Sequence, residues 1–208
     1  VCAALAGQHP AKFEVGKLAD QLRENNNLIY EAFNAVAKAA RAIGQACGIH
    51  GPEALPYSWQ LIILAITFGL GGNDLSKPGR LEAVRRWLWL TTYGEVFAGV
   101  NSAIYDRSSA ALANMIQGRD WLVMERDVTR KVRTLTRFDF RAARARASAL
   151  LMARYQDQDR GDLEGPAHRA LAAGGSYLGL LQASGRRSTW WHLAVVDDQA
   201  SITDYRNA

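Results

Sequence analysis

Arginine is the residue type in this sequence best placed to do chemistry. Residues 128–154 hold eight basic side chains (Arg130, Lys131, Arg133, Arg137, Arg141, Arg144, Arg146 and Arg154) against one acid, Asp139. That local excess of seven is larger than the +5 of the whole 208-residue chain. Arg130, Arg133, Arg137, Arg141 and Arg144 recur every three or four positions, which on a continuous helix lines them along one face. A planar guanidinium takes phosphate oxygens two at a time, and a row of them releases counterions from a polyanion. These five arginines are the candidate nucleic-acid-binding residues. The competing reading is a solvated face, or arginines paired with acids elsewhere.

Other side chains offer less. His9, His50, His168 and His192 are scattered, and none stands at a spacing a metal site needs. His192 follows Trp190-Trp191 and leads an apolar run, where an isolated imidazole reads as structural. Asp157, Asp159, Asp162 and Glu164 crowd around Gly161, but their order departs from a calcium loop, so a solvated loop is expected. There is no phosphate-binding glycine loop, dinucleotide fingerprint or Gly-x-Ser-x-Gly elbow. The sequence therefore names no catalytic residue, metal ligand or cofactor. An enzyme with an unfamiliar site would require a pocket gathering His192, Asp197 and Asp198. Trp87, Trp89 and Tyr93 share one helix with Phe97 just beyond, and their Leu and Val neighbours favour core packing over base stacking.

The elements that must position these residues read as helices. Residues 12–24 form a short amphipathic one around Phe13, Leu18 and Leu22, broken by Asn25, Asn26 and Asn27, which can cap the next. Ile29, Phe33, Val36, Ala40, Ile43 and Cys47 then alternate spacings of four and three, a one-sided stripe stopped by Gly48 and by Gly51-Pro52. Residues 56–70 are apolar nearly all round, so they should make a central helix buried on every side. A further helix runs from about Arg80 to Thr92, with Leu81, Val84, Leu88 and Thr91 inward and Arg80, Arg85 and Arg86 outward. Helices are also expected over Arg107–Gln117, Trp121–Val132 and Phe140–Arg154, the last capped by Asp139, and a short strand near 193–196.

Composition bounds the class. Hydrophobic residues make up 49%, a globular proportion with ample length for a core. Two cysteines, Cys2 and Cys47, are too few for a disulfide framework, which points to a cytoplasmic protein with Cys47 a buried thiol. The longest apolar run, Trp59–Leu70, is shorter than the roughly 20 residues a bilayer span needs. Residue 1 is Val and no signal-peptide pattern precedes it, so the chain is expected to be a piece of a longer protein.

One ordered series carries a family resemblance: Leu55-Pro56-Tyr57, Gln60-Leu61, Arg86-Trp87-Leu88-Trp89, Thr91-Thr92-Tyr93, Phe97 and Gly99. With the later Ala/Arg-rich helix, it resembles the helical middle region of large bacterial proteins that begin with a ParB-like nuclease domain. These include the GmrSD-type modification-dependent restriction proteins. The resemblance covers about residues 30–155 and implies a role in restriction or phage defence. The amino-terminal Asp-Gly-Gln-Gln-Arg-like motif and the carboxy-terminal His-Asn-His signature are absent, so neither catalytic centre is implied here.

The sequence-based expectation is thus an all-α bundle around the helix at 56–70, with a domain over 1–155 and a small extension over 156–208 packed on it. Its function is that of a non-catalytic module contacting DNA through the arginines, with other domains of the same chain as further partners. Self-association is compatible with this and a membrane is not a partner. The alternative is a protein–protein interaction or scaffold domain. Any NTP-dependent nuclease activity belongs to the full-length protein.

Overall fold

Trp59 to Phe68 has an apolar side chain at nearly every position, so whichever way it coils it must be covered. In the computed structural model this stretch is the helix Ser58–Gly69 (α4), with Gln60, Ile63, Leu64, Ala65 and Phe68 buried. Leu61, Ile62 and Ile66 are half-buried, so one flank is less enclosed than its composition suggests. The residues described are 1–69, 74, 76–119, 142–157 and 165–172, and the backbone of 178–180 and 193–195.

The other helices among the described residues are α1 (Cys2–Leu5), α2 (Val15–Glu24), α3 (Asn27–Cys47), α5 (Arg80–Tyr93), α6 (Ser102–Ile116), α7 (Ala143–Gln156) and α8 (Pro166–Ala172). Leu178–Leu180 (β1) and Leu193–Val195 (β2) pair antiparallel, with Gly179 opposite Ala194. The fold is therefore all-α in class, with the short strand expected near residue 193 present. No described helix is long and apolar enough to cross a membrane, and no disulfide joins Cys2 to the buried Cys47.

Two compact units emerge, residues 1–46 with 57–130, and residues 47–56 with 131–208. In the first, α6 packs on α4 and α5. Asn101 caps α6, its side chain accepting from the Ile104 amide at 2.9 Å, so this helix starts five residues before the sequence expectation. The fully buried Trp87 donates Nε1–H to the Ser108 carbonyl at 3.0 Å, joining α5 to α6. Phe97 closes against it edge-on, and Tyr57 closes against Phe97. The core reading of these aromatics holds for Trp87 and Phe97, while Trp89 and Tyr93 stack on each other at the half-buried edge.

The helix α3 departs from the expected stripe. Its buried line is Ala32, Ala35, Ala39, Ala42 and Ala46, joined near the end by Ile43 and Cys47. Ile29 and Phe33 point outward, and Phe33 is 72% exposed. At Ala35 a small side chain is required by contact with the end of α4: a Cβ on Gly69 would run into Ala35. Phe13 is likewise exposed, and no residue of α2 is buried.

In the second unit, α7 packs on α8, and β2 lies against both. Alanine, arginine and leucine give α7 high helix propensity. It begins at Ala143 with Ala142 as its N-cap; Asp139, the expected cap, lies outside the described residues.

Candidate functional site

Ala145, Ala149 and Ala153, every fourth residue of α7, are buried together with Ala147 and Leu150. The same periodicity sends Arg144, Ser148, Leu151 and Tyr155 along the opposite face. Tyr155 is 79% exposed, Arg154 beside it is exposed, and Arg144 is half-buried. The helix carries Arg144, Arg146 and Arg154 and no acid. Arg146 is turned to structural use, donating Nη1–H to the Leu55 carbonyl at 2.8 Å. Of the five candidate arginines, Arg144 is on this helix, while Arg130, Arg133, Arg137 and Arg141 lie outside the described residues, as do His192, Asp197 and Asp198.

One of the acids expected in a solvated loop is instead interior. Asp157, immediately after α7, is buried. Its Oδ1 accepts from the Ala167 amide at 3.3 Å and its Oδ2 from the His168 amide at 3.1 Å, so it caps the start of α8 from outside that helix. Pro166 suits the first helical position, where its missing N–H costs nothing. Gly165 is required by contact: a Cβ there would strike the Asp157 carboxylate. The His168 ring, 1% exposed, donates Nδ1–H to Asp157 Oδ2 at 2.7 Å. Its Nε2 is buried with no hydrogen-bond partner among the described residues. A carboxylate-oriented imidazole is the arrangement acid–base catalysis uses, but this Nε2 is closed to solvent, so the pair joins the end of α7 to α8. Gly165-Pro166 after the acidic stretch that begins at Asp157 was the available sequence signal.

The polar residues of the Leu-Pro-Tyr and Trp-x-Trp series also meet inside. Gln60, fully buried, places Nε2 at 3.0 Å from the Leu88 carbonyl, 2.9 Å from Thr91 Oγ1 and 2.8 Å from Thr92 Oγ1. Its Oε1 accepts from the Tyr57 amide at 3.2 Å. These residues hold α4 to α5; they are architecture, not a reaction centre. His9, exposed in part, faces Asp106 at 3.0 Å and the Tyr105 ring edge-on. Among the described residues no group of three His, Cys, Asp or Glu is placed to hold a metal ion.

No protein-family model matches the chain, and no curated protein or solved structure is significantly similar to it.

Proposed function

We propose that this chain is a non-catalytic helical module of a ParB-like restriction or phage-defence protein, acting in the cytoplasm and contacting DNA through the arginines from Arg130 to Arg144. The observation that carries the reading is the outward face of α7, which has Arg144, Arg154 and the exposed Tyr155 and no carboxylate on the helix. Arginine supplies phosphate contacts, and an exposed aromatic on a basic surface adds a face on which a base can stack. The family part rests on the ordered series from Leu55 to Gly99, in which Gln60 donates to both Thr91 and Thr92.

Electrophoretic mobility shift at two salt concentrations tests the DNA contact. Retardation of duplex DNA is expected at low salt, with loss in the Arg137→Glu, Arg141→Glu, Arg144→Glu triple variant. Failure to retard any DNA at low salt rejects it.

A second reading, a protein–protein interaction module, draws on a different surface. Tyr30 and Phe33 on α3 are 71% and 72% exposed, an unusual place for two large aromatics so close together. Under that reading no DNA is retarded at low salt, and Tyr30→Ser with Phe33→Ser changes the sedimentation of the protein or its complexes.

A further inference from the structure

The helix α3 carries apolar side chains on two sides, and a single chain buries only one of them. The alanine line faces inward, while Ile29, Tyr30 and Phe33 stand exposed. Spacings of three and four residues carry this outer face on from Tyr30 and Phe33 through Ala37 and Ala40, both exposed. Arg41 extends it, and Glu31 and Lys38 flank it, all three exposed. Every one of these residues lies in the first unit. The face is thus bulky and acidic in its amino-terminal half, and small and basic in its carboxy-terminal half.

Such a face is complementary to itself when reversed. With Phe33 set over Ala37 of an antiparallel second copy, Tyr30 falls over Ala40 of the second copy and Ile29 over the stem of Arg41 of the second copy. Each ring then meets a small side chain, as close packing requires. The same register brings Glu31 beside Lys38 of the second copy, and twofold symmetry repeats the contact with the roles exchanged. No ion pair among the described residues uses Glu31, Lys38 or Arg41, so these charges are not spent within the chain. A parallel copy would instead set ring against ring and Glu31 against its own counterpart. Four aromatic rings at roughly 150 Å² each supply much of the about 1,000 Å² that a small but specific interface buries.

We propose that the outer face of α3 pairs antiparallel with the same face of a second copy of this chain, rings against alanines and acid beside base. The pairing rests on the surface of the interaction reading above and names its partner; it is independent of whether the arginines contact DNA.

Sedimentation velocity of the whole chain over a concentration series reads the pairing. A monomer–dimer equilibrium is expected, and Phe33→Ser should abolish it. In dilute solution that variant should melt as the wild type does, which separates loss of pairing from loss of fold. Glu31→Lys alone and Lys38→Glu alone each bring like charges together on both sides of the twofold axis, and each should weaken pairing about tenfold. Mixing these two variants should restore the wild-type affinity, because every contact between positions 31 and 38 in the mixed dimer again joins opposite charges. Self-association that mixing fails to rescue overturns the inference. So does a chain that stays monomeric at every concentration, which leaves the face to a partner of different sequence or to solvent. If Tyr30→Ser with Phe33→Ser alters only complexes with another protein, the interaction reading stands and the self-pairing falls. If that variant alters no sedimentation at all, both fall.

Discussion

Gln60 looks like an interruption in an apolar run, yet it is fully buried and hydrogen-bonded by both ends of its amide. Replacement by Leu keeps the volume but strips the Tyr57 amide of its acceptor and leaves the Leu88 carbonyl, Thr91 and Thr92 without their shared donor. Gln60→Leu is expected to destabilise the protein by about 2–3 kcal/mol, read from denaturant midpoints. Tyr93 is the opposite case. Its hydroxyl is buried without a hydrogen-bond partner among the described residues, and burial pushes its acid dissociation above the ordinary tyrosine range. Removing that hydroxyl should help: Tyr93→Phe is expected to raise stability by about 1 kcal/mol, or roughly 2–4 °C in melting temperature for a chain of this size. The pH dependence has a definite sign. Below the unfolded tyrosine value both states are protonated and Tyr93 contributes nothing to the slope. Above about pH 10 the unfolded chain releases its proton first, so folding stability falls as pH rises. Thermal melts between pH 9 and 11 should therefore fall less steeply for Tyr93→Phe than for wild type. Tyr105, also raised mainly by burial, accounts for part of the slope that persists.

At the scale of the element, α3 shows how a helix with two adjacent apolar lines chooses between them. Periodicity names both lines; the alanine line is the buried one, and at Ala35 its small side chain leaves room for Gly69 at the end of α4. Two substitutions separate the alternatives in thermal denaturation. Phe33→Ser is expected to change stability by less than about 0.5 kcal/mol, as for an exposed position. Ala35→Leu is expected to cost about 1–3 kcal/mol by overpacking the contact. A large loss from Phe33→Ser would restore the larger side chains to the inner face. The helix itself was legible from the sequence to within two residues at its C-terminal end, since Gly48 follows the last periodic residue. The start of α6 was missed although Asn101-Ser102 is an ordinary capping signal, because the segment before Arg107 lacks an apolar stripe strong enough to attract notice.

For the whole molecule, charge is the property that the sequence distributes and a polyanion would feel. If the five arginines from Arg130 to Arg144 each neutralise a phosphate of duplex DNA, the logarithm of the binding constant falls by roughly 0.9 per phosphate for each tenfold rise in salt. A fourfold rise should then weaken binding roughly 500-fold, and the triple glutamate variant should show a shallower salt slope as well as weaker binding. A shift that ignores salt would point away from phosphate contacts.

By itself the sequence determined the helical class, the boundaries set by Gly and Pro, the enclosed helix around residues 58–69 and the arginine excess of residues 128–154. Each of these follows from local periodicity, from backbone restriction or from composition. Tertiary structure alone decided that the alanines of α3 face inward, that Asp157 caps α8 and holds His168, and that Gln60 serves Thr91 and Thr92. Those outcomes depend on how near two separate segments come, and proximity across tens of residues leaves no trace in the spacing of either one.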